Sequence, residues 1–578
     1  MRFVYADAQK QEIRDHLDRL VLSFHYSGGQ LSRISDRAGR EVRYRYTGDD
    51  LVEVIDVLGQ STHYAYNAKH QLTRITDPLG RVTAIDYVSM LDPPVGAGGL
   101  KLGKEGAAIF VPGTGVSSNA PTSGYRVSRV GRLTDPAGQV TSYETTYDKT
   151  ARQFSTLITH PGDRRVLEVH DLEGRLLEKT HGSRPVHKLQ RDGLRIETTF
   201  DERGLATRVE YDELRQPLLT THPDGTQTRN EYEPIYHRLV KRSDEAGIET
   251  RYGYDPRGNL LTQTEAFGRP EERLTTYTYD TLGQMTSRTL KGATEAQDLS
   301  TTFTYDEDGN LASLTDPEGS RTSYTYNALG LLLSKTDPLN HTTRYEYDLA
   351  GRLTAVIDAQ NQRSEHHYDA AGNRIRSINP LNQTTHYQYD ALDRLTQVTD
   401  ALGGISRTSY HPGGQLMSRS DAQNLSTTYR YDSEARLIET TDPAGNATVY
   451  RYGESGSGLD GLLTAIVHPS FTEELKYDSR NRLTQRTQVL DADTRLVSQS
   501  GYDATGNLIA QTDPKGRGQL MRYDALRRQV ESIDSLGGRT LYQYDAARVK
   551  VVVASVMQPM PEYGYQQKAS LRWRRVRD

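Results

Sequence analysis

The chain contains no cysteine among its 578 residues. Disulfide bonds, cysteine nucleophiles and thiolate metal sites are therefore excluded. Tryptophan occurs once and phenylalanine eight times, and hydrophobic residues make up 35% of the chain. That share is below the roughly 45–50% of an ordinary globular protein, an average that also counts glycine. We therefore do not expect one large hydrophobic core.

Charge of one sign and long apolar runs are lacking as well. The chain has 71 Lys and Arg against 76 Asp and Glu, a net charge of −5, so we expect no nucleic-acid partner. No stretch approaches the roughly 18 apolar residues of a membrane-spanning helix. The first residues, from Met1 to Asp7, lack the apolar run of a signal peptide. We expect synthesis in the cytoplasm without a signal peptide in this chain.

Tyrosine is abundant, with 37 residues. A disordered chain is usually poor in aromatic residues and far from neutral, so this composition predicts folding. Tyrosine has an apolar ring and a polar tip, which suits a surface that is packed on one side and wet at its edge. The composition favours many shallow packed surfaces in series.

The sequence repeats with a period of 21 residues, which indicates a repeat architecture. Three residue classes keep this period across the chain from about 305 to 452. The first is tyrosine, at Tyr305, Tyr326, Tyr347, Tyr368, Tyr389, Tyr410, Tyr431 and Tyr452. The second is Asp or Asn, at Asp316, Asp337, Asp358, Asn379, Asp400, Asp421 and Asp442. The third is Gly or Asn three residues later, at Gly319, Asn340, Asn361, Asn382, Gly403, Asn424 and Gly445.

Each repeat contains two turn signals. In the repeat of 347–368, the first signal begins with Tyr347-Asp348 and ends at Gly351, a position that Gly372 occupies one repeat later. The second is of the type Asp316-Pro-Glu-Gly319. Asp at the first turn position bonds the backbone two residues on, Pro presets φ, and Gly or Asn accepts the left-handed conformation. We call these the YD turn and the DP turn.

Between the turns lie two strand-length segments with period-two patterning. Tyr345 and Tyr347 share one face. We expect Leu353, Ala355 and Ile357 to share a face in the next strand. The predicted fold is all-β: tandem β-hairpins of about 21 residues that stack into a long spiralling sheet, because one hairpin alone is marginal in water.

The period slips outside the regular block. We divide the chain into degenerate repeats at 1–89, a Gly/Pro-rich loop or insertion at 90–124, degenerate repeats at 125–253, a regular array at 254–546 and an off-register basic tail at 547–578. Steps of 25 residues, as from Tyr477 to Tyr502, contain four extra residues. Two extra residues in each strand would preserve the in/out alternation.

The pattern resembles the YD repeat of the Rhs family. The resemblance is clearest in Tyr347-Asp-Leu-Ala-Gly-Arg-Leu353 and in the run from Thr441-Asp-Pro-Ala-Gly445 to Tyr450, and copies extend from about 20 to 546. Related proteins include bacterial polymorphic toxins, shell components of insecticidal toxin complexes, and teneurins. The resemblance implies part or all of a hollow β-cocoon that encloses a toxic C-terminal domain.

The resemblance further implies a shell segment whose partners are a toxin cargo and secretion machinery, such as type VI secretion. It implies a secreted or cell-surface location. Family members often end the shell with a self-cleavage motif, Pro followed five residues later by Asp-Pro-x-Gly. No Asp-Pro-x-Gly turn of this chain has that proline, and no effector domain is recognisable after 546. We therefore expect an incomplete or truncated member. The alternative is a cell-surface adhesion or carbohydrate-binding protein whose tyrosines stack on glycans.

We assign no catalytic, cofactor or metal residue and expect no enzyme and no cofactor. Several motifs have a simpler structural interpretation. The Asp306-to-Asn310 segment begins like a calcium loop, but its twelfth position is Pro317, so we expect a turn. His366 and His367 should point to opposite faces of a strand. The remaining motifs are interpreted as flexible loop or solvated tail: Gly113-Thr-Gly115, Gly453-Glu-Ser-Gly456, and the tail residues Arg572, Trp573, Arg574, Arg575 and Arg577.

Overall fold

The computed structural model describes most of the chain. The described residues are 2–6, 9–15, 18–91, 100–102, 108–110, 126–193, 195–454, 456–544, 549–554 and 573–574. The predicted Gly/Pro-rich segment of 90–124 and the predicted tail of 547–578 fall largely outside these residues, as do Gly113, Gly115, Arg572, Arg575 and Arg577.

The described part of the chain is built from β-strands and one short 3-10 turn, Glu295–Gln297. The strands before residue 186 or spanning it are β1 Arg2–Ala6, β2 Gln9–Arg14, β3 Leu20–Ser27, β4 Gln30–Asp36, β5 Glu41–Thr47, β6 Asp50–Ile55, β7 Ser61–Tyr66, β8 Leu72–Thr76, β9 Val82–Leu91, β10 Leu100–Leu102, β11 Ala108–Phe110, β12 Arg126–Thr134, β13 Val140–Asp148, β14 Gln153–His160, β15 Arg164–Asp171, β16 Leu176–His181 and β17 Arg184–Asp192.

The next group of strands reaches residue 326. It comprises β18 Ile196–Phe200, β19 Ala206–Tyr211, β20 Pro217–Thr221, β21 Gln227–Tyr232, β22 Leu239–Ser243, β23 Glu249–Tyr254, β24 Leu260–Glu265, β25 Arg273–Tyr279, β26 Met285–Leu290, β27 Leu299–Tyr305, β28 Leu311–Thr315 and β29 Arg321–Tyr326.

The remaining strands are β30 Leu332–Thr336, β31 Thr342–Tyr347, β32 Leu353–Ile357, β33 Arg363–Tyr368, β34 Arg374–Ile378, β35 Thr384–Tyr389, β36 Leu395–Thr399, β37 Ile405–Tyr410, β38 Leu416–Ser420, β39 Ser426–Tyr431, β40 Leu437–Thr441, β41 Ala447–Tyr452, β42 Leu463–Val467, β43 Thr472–Tyr477, β44 Leu483–Val489, β45 Arg495–Tyr502, β46 Leu508–Thr512, β47 Gly518–Tyr523, β48 Gln529–Ile533, β49 Arg539–Tyr544, β50 Val549–Ala554 and β51 Trp573–Arg574.

Two compact units can be distinguished. Unit 1 comprises Met1–Pro185, Asp306–Ala312 and Thr322–Gly445, and unit 2 comprises Val186–Tyr305, Ser313–Arg321 and Asn446–Asp578. Within each unit, strands pair antiparallel with their neighbours in sequence, for example β31 with β32 and β32 with β33. β10 and β11 form a separate two-stranded hairpin, which joins β9 to its pairing partner β12. The predicted all-β fold of tandem hairpins is confirmed.

A β-bulge in the YD hairpin of β31 and β32 corrects the predicted division of residues between the two faces. Tyr347 lies opposite Leu353 and Glu346 opposite Ala355, so Thr354 is the extra residue of the bulge. Directly opposite residues share a face. Leu353 therefore lies on the tyrosine face, whereas Ala355 and the following Ile357 lie on the opposite face. The prediction that these three side chains share a face was wrong, because the bulge shifts the alternation by one residue.

The opposite face carries rows of charge, and we call it the charged face. In Arg363 of β33, Nε donates to Glu365 at 2.7 Å, and Nη1 donates at 2.7 Å to Glu346 of β31, two strands away. Ala355, on the same face, has 0% exposure. Packing is shallow throughout: among the described residues, the buried hydrophobic ones are Val166, Ala266, Ala355, Leu475 and Met521. Stability therefore comes from many local contacts between successive hairpins.

The prediction for four-residue insertions is confirmed in one repeat. Between Tyr477 and Tyr502, β44 has seven residues and β45 has eight, whereas β32 and β33 of the regular repeat have five and six. Each strand has therefore gained two residues, which preserves the alternation. Between Tyr452 and Tyr477 the extra residues lie in the YD turn instead, where the Gly453 N–H donates to the Leu462 carbonyl at 2.9 Å.

Candidate functional site: the tyrosine clamp and the turn seams

The YD turn is closed by its aspartate. In the turn of 348–352, Asp348 Oδ1 accepts the N–H of Ala350 at 2.9 Å and that of Arg352 at 3.0 Å. Gly351 has φ +82° and donates its N–H to the Asp348 carbonyl. Glycine is favoured there because this φ lies in the left-handed region. Burial raises the pKa of Asp348, but the hydrogen bonds from Arg352 outweigh it and hold the pKa below its ordinary value of 3.8.

The DP turn uses the same device. Asp358 Oδ1 accepts the N–H of Gln360 at 2.9 Å and that of Gln362 at 2.8 Å, and Asn361 adopts φ +59°. Carboxylates at the other predicted DP positions accept backbone N–H groups in the same way: Asp316, Asp337, Asp400 and Asp442. The predicted glycines all have positive φ: Gly319 at +84°, Gly351 at +82°, Gly372 at +92°, Gly403 at +84° and Gly445 at +86°.

The signature tyrosine connects each repeat to the one before it. Tyr347 Oη donates to the carbonyl of Leu332 at 2.9 Å. Leu332 lies beside the bulge of the preceding repeat, where the regular ladder is interrupted. The same bond is made by four other predicted tyrosines: Tyr305 to Met285, Tyr368 to Leu353, Tyr389 to Arg374 and Tyr410 to Leu395. Phenylalanine has no hydroxyl to donate, which explains the excess of tyrosine.

Two of the predicted tyrosines make no such bond among the residues described, Tyr326 and Tyr431. Tyr431 instead meets His411 edge-on, with ring centroids 5.8 Å apart. Burial raises the pKa of both tyrosines. The rings of Tyr326 and Tyr431 are therefore packed like those of the other signature tyrosines, but their hydroxyls do not make the bond to the preceding repeat.

The arginine of the YD turn completes the contact between repeats, which we call the tyrosine clamp. Arg352 Nε donates to Asp348 Oδ2 at 2.7 Å, and its Nη1 donates to the carbonyl of Asp369 in the next YD turn at 3.0 Å. Its guanidinium also lies 4.9 Å from the ring centroid of Tyr368. Arg394 over Tyr410 and Arg528 over Tyr544 repeat this stacking at 4.6 and 4.5 Å.

Within unit 1, DP turns near the start of the chain contact YD turns some 270 to 310 residues later; we call this contact the unit 1 seam. Arg37 forms two hydrogen bonds to Asp308, from Nη1 and Nη2, both at 2.9 Å, and donates to the carbonyl of Ala328. Arg81 contacts Asp393 in the same forked manner, at 2.6 and 3.1 Å. Paired bonds of this kind fix geometry as well as charge.

The seam arginines are oriented by their own turns. Arg40 Nε donates to Asp36 at 2.7 Å, while its Nη1 reaches the carbonyl of Leu349 at 3.0 Å. Further along the same seam, Arg184 Nε donates to Glu434 at 2.7 Å, and the side chains are 8% and 12% exposed. The carboxylates respond to their partners: the Arg37 hydrogen bond lowers the pKa of Asp308, and the Arg81 hydrogen bond lowers that of Asp393.

Unit 2 contains a seam of the same kind with the charges exchanged. Here the DP turns supply acids and the YD turns supply arginines. Arg480 Nη2 donates to Glu245 at 3.1 Å, and Arg527 Nη2 donates to Asp244 at 3.0 Å. A groove of about 400 Å³ borders this seam and is lined by His187, Phe200, Asp201, Pro223 and Asn481 among others.

The structure assigns the other predicted motifs to structural roles. Asp306 closes a YD turn by accepting the N–H groups of Asp308 and Asn310, and Asp308 is a seam acid rather than a calcium ligand. His366 bonds Ser377 on the tyrosine face, and His367 bonds Arg376 on the other face, as predicted. Within the described ranges no group of three His, Asp or Glu side chains is placed to hold a metal ion, and no helix there is long and apolar enough to cross a bilayer.

Sequence reasoning missed the seams. One signal was present: three of the early DP turns of unit 1 end in Arg19, Arg40 and Arg81, whereas the DP turns of this unit between 337 and 425 end in uncharged residues or histidine. Without knowledge of which turns meet, this difference had no evident meaning.

Comparisons with known proteins agree with the repeat geometry. The family model for the RHS Repeat matches eight stretches of the chain: 47–82, 236–270, 290–322, 305–338, 326–363, 368–405, 410–447 and 502–540. No curated protein matches the sequence.

Solved structures match in fold. The crystal structure of TcdB2-TccC3 superposes with a TM-score of 0.54 at 15% identity, over 94% of this chain and 34% of that one. The structures of TcdB2-TccC3-Cdc42 and TcdB2-TccC3-TEV give TM-scores of 0.54 and 0.53 at 14% identity, over 94% of this chain and 36% of theirs. This chain therefore spans about a third of the length of the solved chains it matches.

Proposed function

This chain is an RHS-repeat protein of the Rhs family, and we propose that it is a structural shell segment of a polymorphic toxin. In this role it encapsulates or presents a C-terminal effector, and its partners are that effector and the machinery that exports it. The proposal places the working protein outside the cell or at its surface.

One observation carries the proposal: the seam within each unit. A single-layer sheet leaves the rows of turns at both strand ends open to solvent. In unit 1, Arg37 and Arg81 connect one row to a second row hundreds of residues away. A sheet whose rows of turns are bonded to each other in this way separates the space on its two faces. A container requires such a separation, whereas an isolated binding module does not.

We further propose that the chain has no catalysis of its own. A general acid at neutral pH needs a carboxyl whose pKa is raised toward 7. The turn carboxylates have the opposite property: Asp348 and Asp513 both have lowered pKa values, and each accepts backbone N–H groups from its own turn. Their position in the repeat is explained by turn closure alone.

The adhesion or carbohydrate-binding alternative has less support. A stacking platform needs open aromatic faces with polar groups free to bond the sugar. Rings such as Tyr368 are covered by an arginine of the preceding repeat, and the Tyr368 hydroxyl already donates to the Leu353 carbonyl at 2.8 Å. We therefore keep the shell as the proposed function.

The test is a protease-protection assay. An unstructured, protease-sensitive peptide is fused after residue 578, and its cleavage is followed in the full chain and in two variants. The seam variant is Arg37→Glu with Arg81→Glu. The control variant is Arg45→Glu with Arg430→Glu, which breaks ion pairs of the charged face at side chains that are 66% and 65% exposed.

We expect the peptide to be cleaved slowly in the parent chain and in the control, and rapidly in the seam variant, with the far-ultraviolet β-sheet spectrum unchanged in all three. Cleavage in the parent as fast as in the free peptide would overturn the proposal.

A further inference from the structure

Two histidines end strands β14 and β16, close to an ion pair of the unit 1 seam. Strand pairing places their side chains on one face of the sheet. Val166 of β15 lies opposite both Ile158 and His181, and His160 follows Ile158 by two residues. His181 is the last residue of β16, and the seam residue Arg184 begins β17 after a short turn.

The same region carries several permanently charged basic groups. Arg164 lies opposite His160 in the β14–β15 pair, and Lys179 precedes His181 by two residues on the same face of β16. We call these four residues, together with Arg184, the cationic cluster.

The two carboxylates that act on the cluster already have basic partners. Glu168 contacts Lys179 at 3.0 Å, and Glu434 accepts a hydrogen bond from Arg184 Nε at 2.7 Å. Arg164, by contrast, has a buried Nε without a hydrogen-bond partner among the described residues. Positive charge therefore exceeds negative charge in the cluster before either histidine is protonated.

The surroundings of His160 disfavour its charged form. Burial, Arg164 and Lys179 lower the pKa of His160 below its ordinary value of 6.5, and Glu168 opposes them with a smaller effect. Strand β13 adds one titratable group on this face, Tyr143, which lies opposite Ile158. Burial raises the pKa of Tyr143, so this side chain brings no negative charge to the cluster.

His181 is in the same situation and lies closer to the seam. Burial lowers the pKa of His181 most, and Lys179, Arg184 and Arg164 lower it further. Glu434 raises it and offsets these effects only in part. Histidine is the side chain that ordinarily gains its charge between pH 5 and 8, so both imidazoles are uncharged at neutral pH and acquire charge in mild acid.

The YD turn that carries Glu434 covers this part of the cluster. A Cβ placed on Gly182, in the turn between His181 and Arg184, would lie 3.8 Å from Glu434 Oε1, and Arg184 is buried. Separation of the two turns would give the imidazole of His181 access to water and would let Arg184 move away from it. Protonated histidines therefore favour the open seam, and neutral histidines favour the closed one.

We propose that this end of the unit 1 seam is an acid-sensitive latch. Protonation of His160 and His181 adds two positive charges to the cationic cluster, weakens the contact of Arg184 with Glu434 and opens the seam locally. As a means of releasing an enclosed effector, the latch rests on the proposed shell function, whereas the opening itself does not.

The direction of the pH dependence follows from proton binding. A histidine with a lowered pKa binds fewer protons in the closed state than in the open state. Its contribution to stability is complete above the ordinary pKa of 6.5 and is lost as the pH falls toward the lower value of the closed state. The seam carboxylates Asp308 and Asp393 have pKa values below 3.8 and stay charged, so the opening is confined to the cluster.

The test is hydrogen exchange of the full chain followed by mass spectrometry at pH 7.5 and 5.5, with rates corrected for the intrinsic pH dependence of exchange. Two peptides report on the latch: the β16–β17 turn and the YD turn of 432–436. The peptide around Asp393 reports on another position of the same seam.

Three variants accompany the parent chain, and circular dichroism verifies their fold. The latch variant carries His160→Gln and His181→Gln, which remain polar but cannot gain a proton. Arg164→Gln keeps both histidines, removes one cation and serves as a second test if the latch variant does not fold. The control is His366→Gln, because burial also lowers the pKa of His366, which lies in β33 outside the cluster.

We expect corrected exchange of both latch peptides to be at least about threefold faster at pH 5.5 than at pH 7.5 in the parent and the control. The peptide around Asp393 should show no such change. The latch variant should exchange equally at both pH values, and Arg164→Gln should show a smaller increase because one repelling charge is lost.

Unchanged exchange of the latch peptides in the parent would overturn the proposal, and so would an increase in either cluster variant as large as in the parent. An equal increase around Asp393 would indicate general destabilisation by acid and would also overturn it. The measurement uses no passenger peptide. It can therefore fail while the shell proposal stands, and the protease-protection assay, performed at pH 7.5 where the latch is closed, can fail while the latch stands.

Discussion

Removal of one hydroxyl from the tyrosine clamp tests how neighbouring repeats are coupled. In Tyr347→Phe the ring remains in place under the same packing, and only the 2.9 Å bond to the Leu332 carbonyl is lost. A neutral hydrogen bond contributes about 1 kcal/mol net, and the loss is greater where the abandoned carbonyl cannot reach water. We expect a local loss of about 1 kcal/mol in the free energy of opening.

Hydrogen exchange followed by mass spectrometry is the suitable assay, because an array of repeats opens locally and a single unfolding free energy is not well defined for it. A loss of about 1 kcal/mol corresponds to about fivefold faster exchange. We expect this acceleration in β30 and β31 and in the turn between them. Distant strands such as β14 and β15 should exchange as before.

The matched control lies two residues away. Tyr345 is on the same face of β31, and among the described residues no strand carbonyl accepts a bond from its hydroxyl. Tyr345→Phe should therefore leave exchange nearly unchanged. Equal acceleration in both variants would mean that ring packing, not the hydroxyl, explains the preference for tyrosine.

Additivity extends the test. Tyr347, Tyr389 and Tyr523 each donate to the preceding repeat, and the first two are separated by four strands, or about 19 Å. Sites this far apart usually add. The triple phenylalanine variant should lose about 3 kcal/mol in total, about 1 kcal/mol in each neighbourhood; loss confined to one neighbourhood would refute the clamp as a general device.

Further predictions concern the turns and the seam. Asn361→Ala should destabilise its turn by about 1 kcal/mol, because Asn361 has φ +59°, whereas Asn361→Gly should be neutral; exchange of the turn amides measures both. Arg81→Gln should abolish cross-linking by a short bis-maleimide between cysteines introduced next to the seam, and the cysteine-free background makes the reaction specific. Arg37 lowers the pKa of Asp308 in the folded protein. The contribution of the Arg37–Asp308 pair to stability is therefore complete above the ordinary pKa of 3.8 and is lost as the pH falls through the lower pKa of the folded state. Seam cross-linking should therefore persist at pH 5 and weaken below about pH 3.8.

The repeat unit was predictable because its determinants are local. A turn that closes on its own carboxylate needs only the five residues from Asp358 to Gln362, and these are contiguous in the sequence. The all-β fold, the two turns and the opposite orientations of His366 and His367 follow from such local patterns, and the structure confirms them.

The two faces of the second strand were predicted wrongly for a reason that is also local. Thr354 is an extra residue whose presence changes the orientation of all residues after it, and threonine has ordinary strand propensity. The structure indicates its special role elsewhere in the array: Thr396 and Thr484, at the same bulge position, donate their hydroxyls to carbonyls of the opposing strand at 3.1 and 3.2 Å. A bulge can be recognised only when the register between the two paired strands is known. A period-two sequence pattern does not determine that register, because it assumes that the pairing is regular.

The seams were beyond sequence reasoning because they join residues 235 to 312 positions apart, and local rules give no information about which turns meet. Their charges nevertheless have a logic once the pairs are known. In unit 1 the DP row supplies arginine and the YD row supplies acid, and in unit 2 the roles are exchanged. If the DP row of unit 1 met the YD row of unit 2, arginine would face arginine; if the YD row of unit 1 met the DP row of unit 2, acid would face acid. Like charges in contact are unfavourable. The exchange of charge therefore specifies which segments of a nearly uniform array may meet, a distinction that 21-residue repeats with identical turn geometry could not otherwise make.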